Sequence, residues 1–347
     1  MSRLQAAPPP DASDRDRKAE HIALALSERM QLERRFFSEY AFEHLALPEI
    51  DMDRIDLSVE FLGRRLAAPL LISCMTGGTE EATKINRHLA AAAEETGVAI
   101  GVGSQRKAIE DPTLAGSFQV RDLVPSMPLL ANLGAVQLNY GYGAEECRRA
   151  VAMIEADALV LHLNPLQEAI QPEGDRNFAD LLPKIGRVVD DLEVPVVVKE
   201  IGCGLSGDVG AALLEQGVTI VDSAGLGGTS WSRIEGARAG DRELGELFAD
   251  WGVPTPESIA QLAALDGLTV IGSGGVRNGV EVAKALALGA HLVGLAQPFL
   301  EPATRSVEET VSAIEQVLHE LRIAMFCIGA ESIAALRTTE RLKRRGG

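Results

Sequence analysis

A seven-residue segment, residues 162–168, carries a dense group of side chains that could do chemistry. It follows an apolar run, 157–161, that has the composition of a buried parallel strand. Pro165 has no backbone N–H and cannot extend a central strand, so the chain leaves the sheet there. Four polar side chains are then presented where α/β folds build their active sites, at the carboxyl end of a strand: His162, Asn164, Gln167 and Glu168. Histidine and carboxylate groups are the usual agents of proton transfer, although a core histidine followed by a helix start explains this segment equally well.

The elements that would position these groups recur along the chain. Eight short β-rich runs occur at residues 69–72, 98–102, 129–131, 158–163, 195–199, 219–222, 269–271 and 292–295. Helical patterns lie between them, including 80–96, 144–155, 207–216, 256–265 and 279–288, and several end at a glycine. Eight strand and helix units predict an α/β fold, a (β/α)8 TIM barrel whose site lies in the loops after the strands. A doubly wound open sheet is the alternative, because strand count alone does not establish closure.

Three regions of the chain differ in composition. Residues 1–16 are rich in proline and polar residues, which predicts a disordered N-terminal tail. Residues 17–340 form a single predicted barrel domain, which includes a mixed helical pattern over 17–43 and a closing helix over 306–329. Residues 341–347 are strongly basic and predict a charged, solvated C-terminal tail.

Composition bounds the partners and the compartment. The 347 residues include 50 acidic and 33 basic side chains, a formal charge of -17, which argues against nucleic acid and anionic membranes as partners. A small anionic substrate is still compatible, because screening limits the reach of the net charge to about 8 Å. The four cysteines are widely spaced and no apolar run has the length of a membrane span. We therefore expect a soluble, cytoplasmic protein with reduced thiols.

Glycine-rich turns after the last two strands predict a phosphate site. After the seventh strand the sequence is Gly-Ser-Gly-Gly-Val-Arg-Asn-Gly over 272–279, followed by a helical pattern. A helix N-terminus presents N–H groups and its positive dipole end to an anion. Small residues follow the eighth strand, and these two loops are the usual phosphate site of the barrel. The candidate residues are Gly274, Gly275, Val276, Arg277, Ala296 and Gln297.

Other strand ends suit a flat cofactor that has a polar edge and a tail ending in that phosphate. Glycines allow close backbone contact, and hydroxyl and amide groups can bind the edge of a heterocycle. A buried lysine at the end of the fifth strand needs an anionic or strongly polar partner. The candidates are Met75, Thr76, Gly77, Ser104, Asn132, Lys199, Ser223 and Thr229. For Lys199 a structural salt bridge to Glu200 or Asp222 is the competing interpretation.

The chain resembles FMN-dependent barrel enzymes in general through the 274–277 loop and the lysine of the fifth strand. It is much more similar to the type 2 isopentenyl-diphosphate isomerases, from Arg17 to about Arg337. The shared motifs are Arg-Lys-x-x-His at 17–21, Met-Thr-Gly-Gly at 75–78, Gly-Ser-Gln-Arg at 103–106, Ala-Asn-Leu-Gly at 131–134, the 162–168 segment, Gly-Gly-Thr-Ser-Trp at 227–231 and the 272–279 loop.

The resemblance implies a redox-neutral reaction with a redox cofactor. The family interconverts isopentenyl and dimethylallyl diphosphate by a 1,3-allylic proton shift with reduced FMN and Mg²⁺. Reduced flavin can relay protons and stabilise cationic character beside the alkene. NADPH would serve only to reduce the flavin. Homo-oligomers, as tetramers or octamers, are also implied by the family.

The resemblance assigns roles to single residues. Arg17, Lys18, Arg106 and Lys107 would contact the diphosphate, with His21 and His162 as further donors and Asn164 ordering the same region. Gln167 would face the substrate hydrocarbon across from the flavin, and Glu168 would ligate Mg²⁺. Trp231 and Glu235 would wall and polarise the site. The cofactor candidates of the strand ends and phosphate loops map onto FMN contacts.

Two other functions are compatible with an FMN-binding barrel. An FMN-dependent 2-hydroxy-acid oxidase shares the barrel and the phosphate loop, but it needs a histidine base beside an arginine after the sixth or seventh strand. Residues 227–233 contain no histidine, which argues against it. A noncatalytic FMN-binding barrel would not need Gln167 and Glu168 together with the 17–21 motif.

Overall fold

A computed structural model describes residues 20–345. The predicted disordered tail, 1–16, and two of the predicted diphosphate contacts, Arg17 and Lys18, lie outside the described residues. Within residues 20–345 no helix combines the length and the apolar character needed to cross a membrane.

The eight predicted strands form a closed parallel barrel, so the (β/α)8 prediction is confirmed and the open sheet is excluded. The strands are β1 (Leu70–Ile72), β2 (Ala99–Gly101), β3 (Leu129–Gly134), β4 (Ala158–His162), β5 (Val196–Lys199), β6 (Ile220–Asp222), β7 (Thr269–Ser273) and β8 (Leu292–Leu295). Each strand pairs with its neighbour in sequence, and β8 pairs with β1. The register places His162 beside Lys199 and Lys199 beside Asp222. Three of the polar strand ends are therefore adjacent at one rim.

Thirteen labelled helices accompany these strands within the described residues. They are α1 (Glu80–Thr96), α2 (Arg106–Glu110), α3 (Ala144–Ile154), α4 (Pro165–Ile170), α5 (Leu181–Asp191), α6 (Gly207–Glu215), α7 (Trp231–Ala239), α8 (Arg242–Leu247), α9 (Thr255–Ala263), α10 (Gly279–Ala287), α11 (Gln297–Arg305), α12 (Val307–Phe326) and α13 (Ile333–Arg337). The start of α1 is set by Thr79, whose hydroxyl accepts from the Ala82 N–H, and its end by Gly97 in the left-handed conformation.

The barrel is filled from below by a hairpin. Strands Val59–Phe61 and Arg64–Leu66 pair antiparallel, and Phe61 and Leu66 pack against the first residues of the barrel strands. Arg64 donates to Asp157 Oδ1 over 2.8 Å, which fixes the hairpin to the loop before β4. Because the bottom of the barrel is closed by apolar packing, the open end lies at the carboxyl ends of the strands.

The C-terminal end differs from the solvated tail that the charge pattern predicts. Leu342–Arg344 form a strand that pairs antiparallel with Tyr40–Phe42, and Arg344 contacts Glu39 at 3.1 Å. The basic residues are therefore held in a two-stranded sheet by backbone pairing, which composition does not indicate.

The N-terminal segment, defined here as residues 20–39, crosses the open end of the barrel. Residues 20–25 are helical, and 3₁₀ turns follow at Glu28–Met30 and Phe36–Glu39. The continuous helical pattern predicted over 17–43 is thus broken, because the chain at Gln31 pairs as an antiparallel bridge with Thr229. Backbone hydrogen bonds from Leu32 to Gly228 and from Ser230 to Met30 hold the crossing in place.

Candidate active site

A cavity of about 320 Å³ opens at the carboxyl ends of the strands. Its wall brings together most of the predicted site residues, although they are spread over nearly three hundred positions of the sequence. Those that line it are His21, Met75, Thr76, Gly77, Ser104, Arg106, Lys107, Asn132, His162, Asn164, Gln167, Glu168, Lys199, Thr229, Trp231, Gly274, Gly275, Val276, Arg277, Ala296 and Gln297.

The first turn of α4 orients the polar groups of the 162–168 segment. Pro165 occupies the first helical position, where its missing N–H costs nothing. The amide of the buried Asn164 donates to Gln167 Oε1 over 3.1 Å and to Glu168 Oε1 over 2.7 Å. One side chain therefore fixes the orientation of both neighbours.

Glu235 lies behind Gln167 and is fully buried. Its Oε1 accepts from Gln167 Nε2 over 2.8 Å and lies 3.0 Å from His21 Nε2, and its Oε2 accepts from Arg238 over 2.5 Å. Burial alone would raise the pKa of Glu235, but contacts with His21, Gln167 and Arg238 outweigh it and lower the pKa below its ordinary value. The carboxylate does not line the cavity, so it can polarise the site only through its partners.

Glu168 offers a carboxylate to the cavity. Its Oε2 accepts the Asp175 N–H over 2.7 Å, and its Oε1 takes the Asn164 amide. Burial raises the pKa of Glu168 and outweighs these hydrogen bonds. Residues 20–345 contain no group of three or more Asp, Glu, His or Cys side chains that could together hold a metal ion. A cation here would therefore have one protein carboxylate as ligand, and substrate oxygens and water would fill its other positions. Mg²⁺ is usually bound in this way.

His162 is held in one tautomer by Asn132. The two side chains meet at 2.8 Å between His162 Nδ1 and Asn132 Oδ1, and the Asn132 amide donates to the Val102 carbonyl. Asn132 Oδ1 is thus the acceptor, and His162 Nδ1 carries the proton. Desolvation, followed by the positive charge of Lys199, lowers the pKa of His162 to about 3. The imidazole is therefore neutral at physiological pH.

The two predicted cations on α2 are balanced by acids. Arg106 donates to Asp175 Oδ2 over 2.8 Å and to Glu110 over 2.9 Å, and Lys107 contacts Glu110 at 3.1 Å. Gln137 donates to the same Asp175 oxygen. Arg106 and Lys107 both line the cavity, and each is held there by at least one carboxylate.

Lys199 meets a backbone group instead of a carboxylate. Its Nζ donates to the Glu200 carbonyl oxygen over 2.6 Å, and no ion pair of Lys199 occurs within the described chain. Glu200 instead accepts three backbone N–H groups from residues 201–203. The competing salt-bridge interpretation is thus wrong for Glu200 and Asp222, and the ammonium lines the cavity.

Two glycine loops form a close backbone cradle. Gly275 has φ +74°, and a Cβ there would lie 2.1 Å from the Gly227 carbonyl. A Cβ at Gly228 would lie 2.8 Å from the Gly275 nitrogen. Only glycine permits this approach. The N–H groups of Gly274, Gly275 and Val276 have no hydrogen-bond acceptor among residues 20–345.

The N-terminus of α10 is not the anion site that the sequence predicts. Asn278 accepts the Glu281 N–H, Glu281 accepts the Arg277 N–H, and Glu320 accepts the Gly279 N–H. Three N–H groups of this turn therefore have side-chain acceptors. Helix α11 begins at Gln297 without a side-chain cap, and its first residues line the cavity. Pro298 has no N–H, and Phe299 and Leu300 donate to the Ala296 carbonyl. Within the described residues, the N–H groups left for an anion in this wall are those of the glycine loop and Gln297.

Two predicted cofactor contacts have different surroundings. Ser223 does not line the cavity: it is fully buried, its hydroxyl donates to the Ser273 carbonyl, and it accepts the Ser273 N–H. Ser223 therefore ties β6 to β7. Arg277 lines the cavity but donates to the carbonyls of Gly275, Gly227 and Leu32, so it also joins the N-terminal segment to the loops.

Sequence reasoning missed part of the cavity wall. Gln31 lines it and donates to Thr229 Oγ1 over 2.8 Å, and Gln137 and Gln171 line it as well. No strand end or motif marks these positions, since their placement depends on long-range contacts.

The chain is similar to known proteins in family, sequence and structure. The FMN-dependent dehydrogenase family matches residues 181–343. An isopentenyl-diphosphate delta-isomerase of Nostoc sp. is 48% identical over 346 residues, covering 97% of this chain and 99% of that protein. The enzyme of the same name from Synechococcus sp. is 52% identical and covers 92% of this chain and 94% of its own.

Solved structures share the fold at much lower identity. A lactate oxidase of Pediococcus acidilactici superposes with a TM-score of 0.68 at 17% identity, over 96% of this chain and 94% of that one. At this identity the likeness establishes the barrel and nothing about the reaction. Identity near 50% over almost the full length establishes the family: the chain belongs to the isopentenyl-diphosphate delta-isomerase family, in its FMN-dependent type.

Proposed function

We propose that this protein interconverts isopentenyl diphosphate and dimethylallyl diphosphate by a 1,3-allylic proton shift, with reduced FMN and Mg²⁺. The observation that carries the proposal is the wall of the cavity. A neutral amide held by a buried carboxylate, a separate cavity-facing carboxylate and a pair of cations meet there, within a family whose named relatives are isopentenyl-diphosphate isomerases.

The residues of the cradle fit FMN. The N–H groups of Gly274, Gly275 and Gln297, which have no acceptor among the described residues, suit a phosphate. Thr76, Ser104, Asn132 and Thr229 would bind the edge of the flavin ring, with Lys199 supplying a positive charge beside it. Reduced FMN, when bound, supplies a proton relay and an electron-rich surface beside the alkene.

The chain's own residues bind and orient the substrate. Arg106 and Lys107 hold the diphosphate, together with the predicted contacts Arg17, Lys18 and His21, while His162 Nε2 and Asn164 order the same region. Gln167 faces the hydrocarbon, and its amide brings no fixed charge next to developing cationic character. Trp231 walls the hydrocarbon side and excludes water.

Glu168 is the proposed metal ligand. Mg²⁺ keeps several waters and takes one carboxylate together with phosphate oxygens. The backbone of Asp175 and the amide of Asn164 hold the two carboxylate oxygens of Glu168 in the cavity wall. The metal would neutralise diphosphate charge that Arg106 and Lys107 do not reach.

The oxidase alternative lacks its base. The helix after β6 begins at Trp231 and carries Glu235, with no histidine, where a 2-hydroxy-acid oxidase requires one. His21, which contacts Glu235, comes from the N-terminal segment and not from the loop after β6. We also propose NADPH as flavin reductant, cytoplasmic localisation and a homo-oligomer, from family likeness and cysteine usage.

The decisive experiment supplies isopentenyl diphosphate to reduced, FMN-loaded enzyme with Mg²⁺ and follows dimethylallyl diphosphate. Product is expected only when the flavin is reduced. The oxidised form of the same enzyme is given lactate and mandelate, for which no flavin reduction is expected. Failure to isomerise, or turnover of a hydroxy acid, overturns the assignment.

A further inference from the structure

Arg238, on the last turn of α7, contacts three carboxylates from three different elements. It donates to Glu235 Oε2 over 2.5 Å, lies 3.4 Å from Glu20 of the N-terminal segment and lies 3.2 Å from Glu173 of the loop 171–180. Its side chain is only 12% exposed. Neither the family motifs nor the cavity wall includes it.

We propose that Arg238 is a positioning residue that holds Glu235 against Gln167 and fastens the N-terminal segment and the loop 171–180 over the cavity. The kinetic part of this inference rests on the proposed function, whereas the fastening part does not.

The inner contact of Arg238 completes a buried carboxylate. Glu235 Oε1 is occupied by Gln167 and approached by His21, so Arg238 is the partner of the second oxygen. A buried carboxylate that loses such a partner rotates or takes up a proton. Either change would remove the acceptor that orients the Gln167 amide. Arg238 thus acts on the reaction through two other side chains.

The outer contacts connect two elements that line the cavity. Glu20 precedes His21 and Ile22, and Glu173 follows Gln171, and these three neighbours are all in the cavity wall. Glu20 and Glu173 are 59% and 48% exposed, so either pair alone would contribute little. Both carboxylates converge on one shielded guanidinium. The N-terminal segment and the loop 171–180 are therefore held over the cavity by the same group that supports Glu235.

Arginine suits this position better than lysine. Its planar group offers several N–H donors in fixed directions, and Nε, Nη1 and Nη2 each meet a different carboxylate here. A lysine has one compact charge, so it can support Glu235 but cannot span all three partners.

The kinetic test compares Arg238→Met with Arg238→Lys in FMN-loaded enzyme. For Arg238→Met, kcat is expected to fall by about 10- to 100-fold, the cost of misplacing a reacting group, with unchanged FMN content. Arg238→Lys should recover most of kcat and retain a raised KM. Glu246→Gln is the matched control, since it breaks the other arginine pair of α7, Arg233–Glu246, in which Glu235 takes no part.

A second measurement needs no catalysis. Trp231 packs edge-on against His21, with ring centroids 5.3 Å apart, and the other tryptophan, Trp251, is exposed. In a Trp251→Phe background the emission therefore reports Trp231 beneath the N-terminal segment. Iodide quenching should increase in Arg238→Met and in the double variant Glu20→Gln/Glu173→Gln, whose surface substitutions leave folding intact.

The outcomes separate the two parts. An inactive parent enzyme overturns the proposed function, and the quenching result still tests the fastening role independently. If quenching in both variants equals that of the parent, the fastening role is overturned. If Arg238→Met keeps the wild-type kcat, the proposal that Arg238 supports Glu235 is overturned. A kcat lost equally in Arg238→Lys and Glu246→Gln would show a general effect on α7 and would also overturn the proposal.

Discussion

Gln167 donates its amide N–H to Glu235 Oε1 over 2.8 Å, which joins a cavity residue of α4 to a fully buried carboxylate of α7. The Gln167 carbonyl oxygen accepts from Asn164 at the same time. The amide is therefore fixed at both ends. At this point the cavity wall carries a neutral, oriented group, while the negative charge of Glu235 stays one layer behind it.

Replacing Gln167 by Ala should abolish most of the turnover without releasing FMN. Loss of a positioned proton-handling group costs typically about 10² to 10⁴ in rate, and no contact of Gln167 supports the phosphate cradle. Steady-state kinetics and the flavin absorbance of the purified variant check both parts. The exposed Gln119→Ala is the control; a variant at Gln167 with parental kcat would contradict the role.

Arg106→Met should weaken diphosphate binding more than it slows the reaction. The variant removes a charge-assisted contact, worth about 1.5 to 3 kcal/mol, so KM for substrate and the inhibition constant of inorganic diphosphate should rise about 10-fold or more. Inhibition assays with inorganic diphosphate measure binding alone. Arg148→Met, which removes an exposed pair with Glu145, is the matched control. Unchanged inhibition would show that Arg106 does not hold the phosphates.

Gly275→Ala should reduce FMN retention and stability together. The position has φ +74°, and the added Cβ would meet the Gly227 carbonyl at 2.1 Å. Backbone strain of this kind costs about 1 to 3 kcal/mol, and relief would require the two loops to separate. Flavin content and thermal unfolding are the measurements. Gly116→Ala, with open space at the Cβ, should match the parent; full flavin occupancy in Gly275→Ala would contradict the cradle.

His162 should make stability fall as the pH drops below the ordinary histidine range. The folded pKa is about 3, against an ordinary value of 6.5, so below pH 6.5 the unfolded chain takes up a proton that the native state refuses. The native state loses up to about 1.4 kcal/mol per pH unit from this group.

Urea unfolding at pH 7 and pH 5.5 tests this expectation. The difference between the two pH values should be smaller in His162→Gln than in the parent, by about 1 kcal/mol. The exposed Gln119→Ala, which removes no titratable group, should leave the difference unchanged. An equal loss of stability in His162→Gln and the parent would show that His162 takes up its proton as readily in the native state as in the unfolded chain.

The closed barrel could be predicted from the sequence because parallel strands buried on both faces leave continuous apolar runs, and the helices between them start and stop at recognisable caps. Helix α1 begins and ends at the predicted residues, Glu80 and Thr96. The polar strand ends follow from the same logic. A barrel gathers the carboxyl ends of all its strands at one rim, so residues as distant as Thr76 and Gln297 could be assigned to one site.

Features built from contacts between distant segments could not be predicted in the same way. The strand at Leu342–Arg344 exists because Tyr40–Phe42 lies beside it, and a basic composition does not reveal that pairing. Ser223 was expected to contact a cofactor and instead bonds Ser273, since only the packing of β6 on β7 decides which way a strand-end hydroxyl is used.

By itself, the sequence determined the barrel, the rim where the site lies and the types of groups in it, because these depend on local periodicity and on motifs. The tertiary structure alone decided the partners: Glu235 behind Gln167, Arg238 behind Glu235, Asp175 beside Arg106, and Glu320 on the Gly279 N–H at the start of α10. Hydrogen bonds and charge pairs depend on distances of about 3 Å between side chains, and such distances are set only when the elements pack.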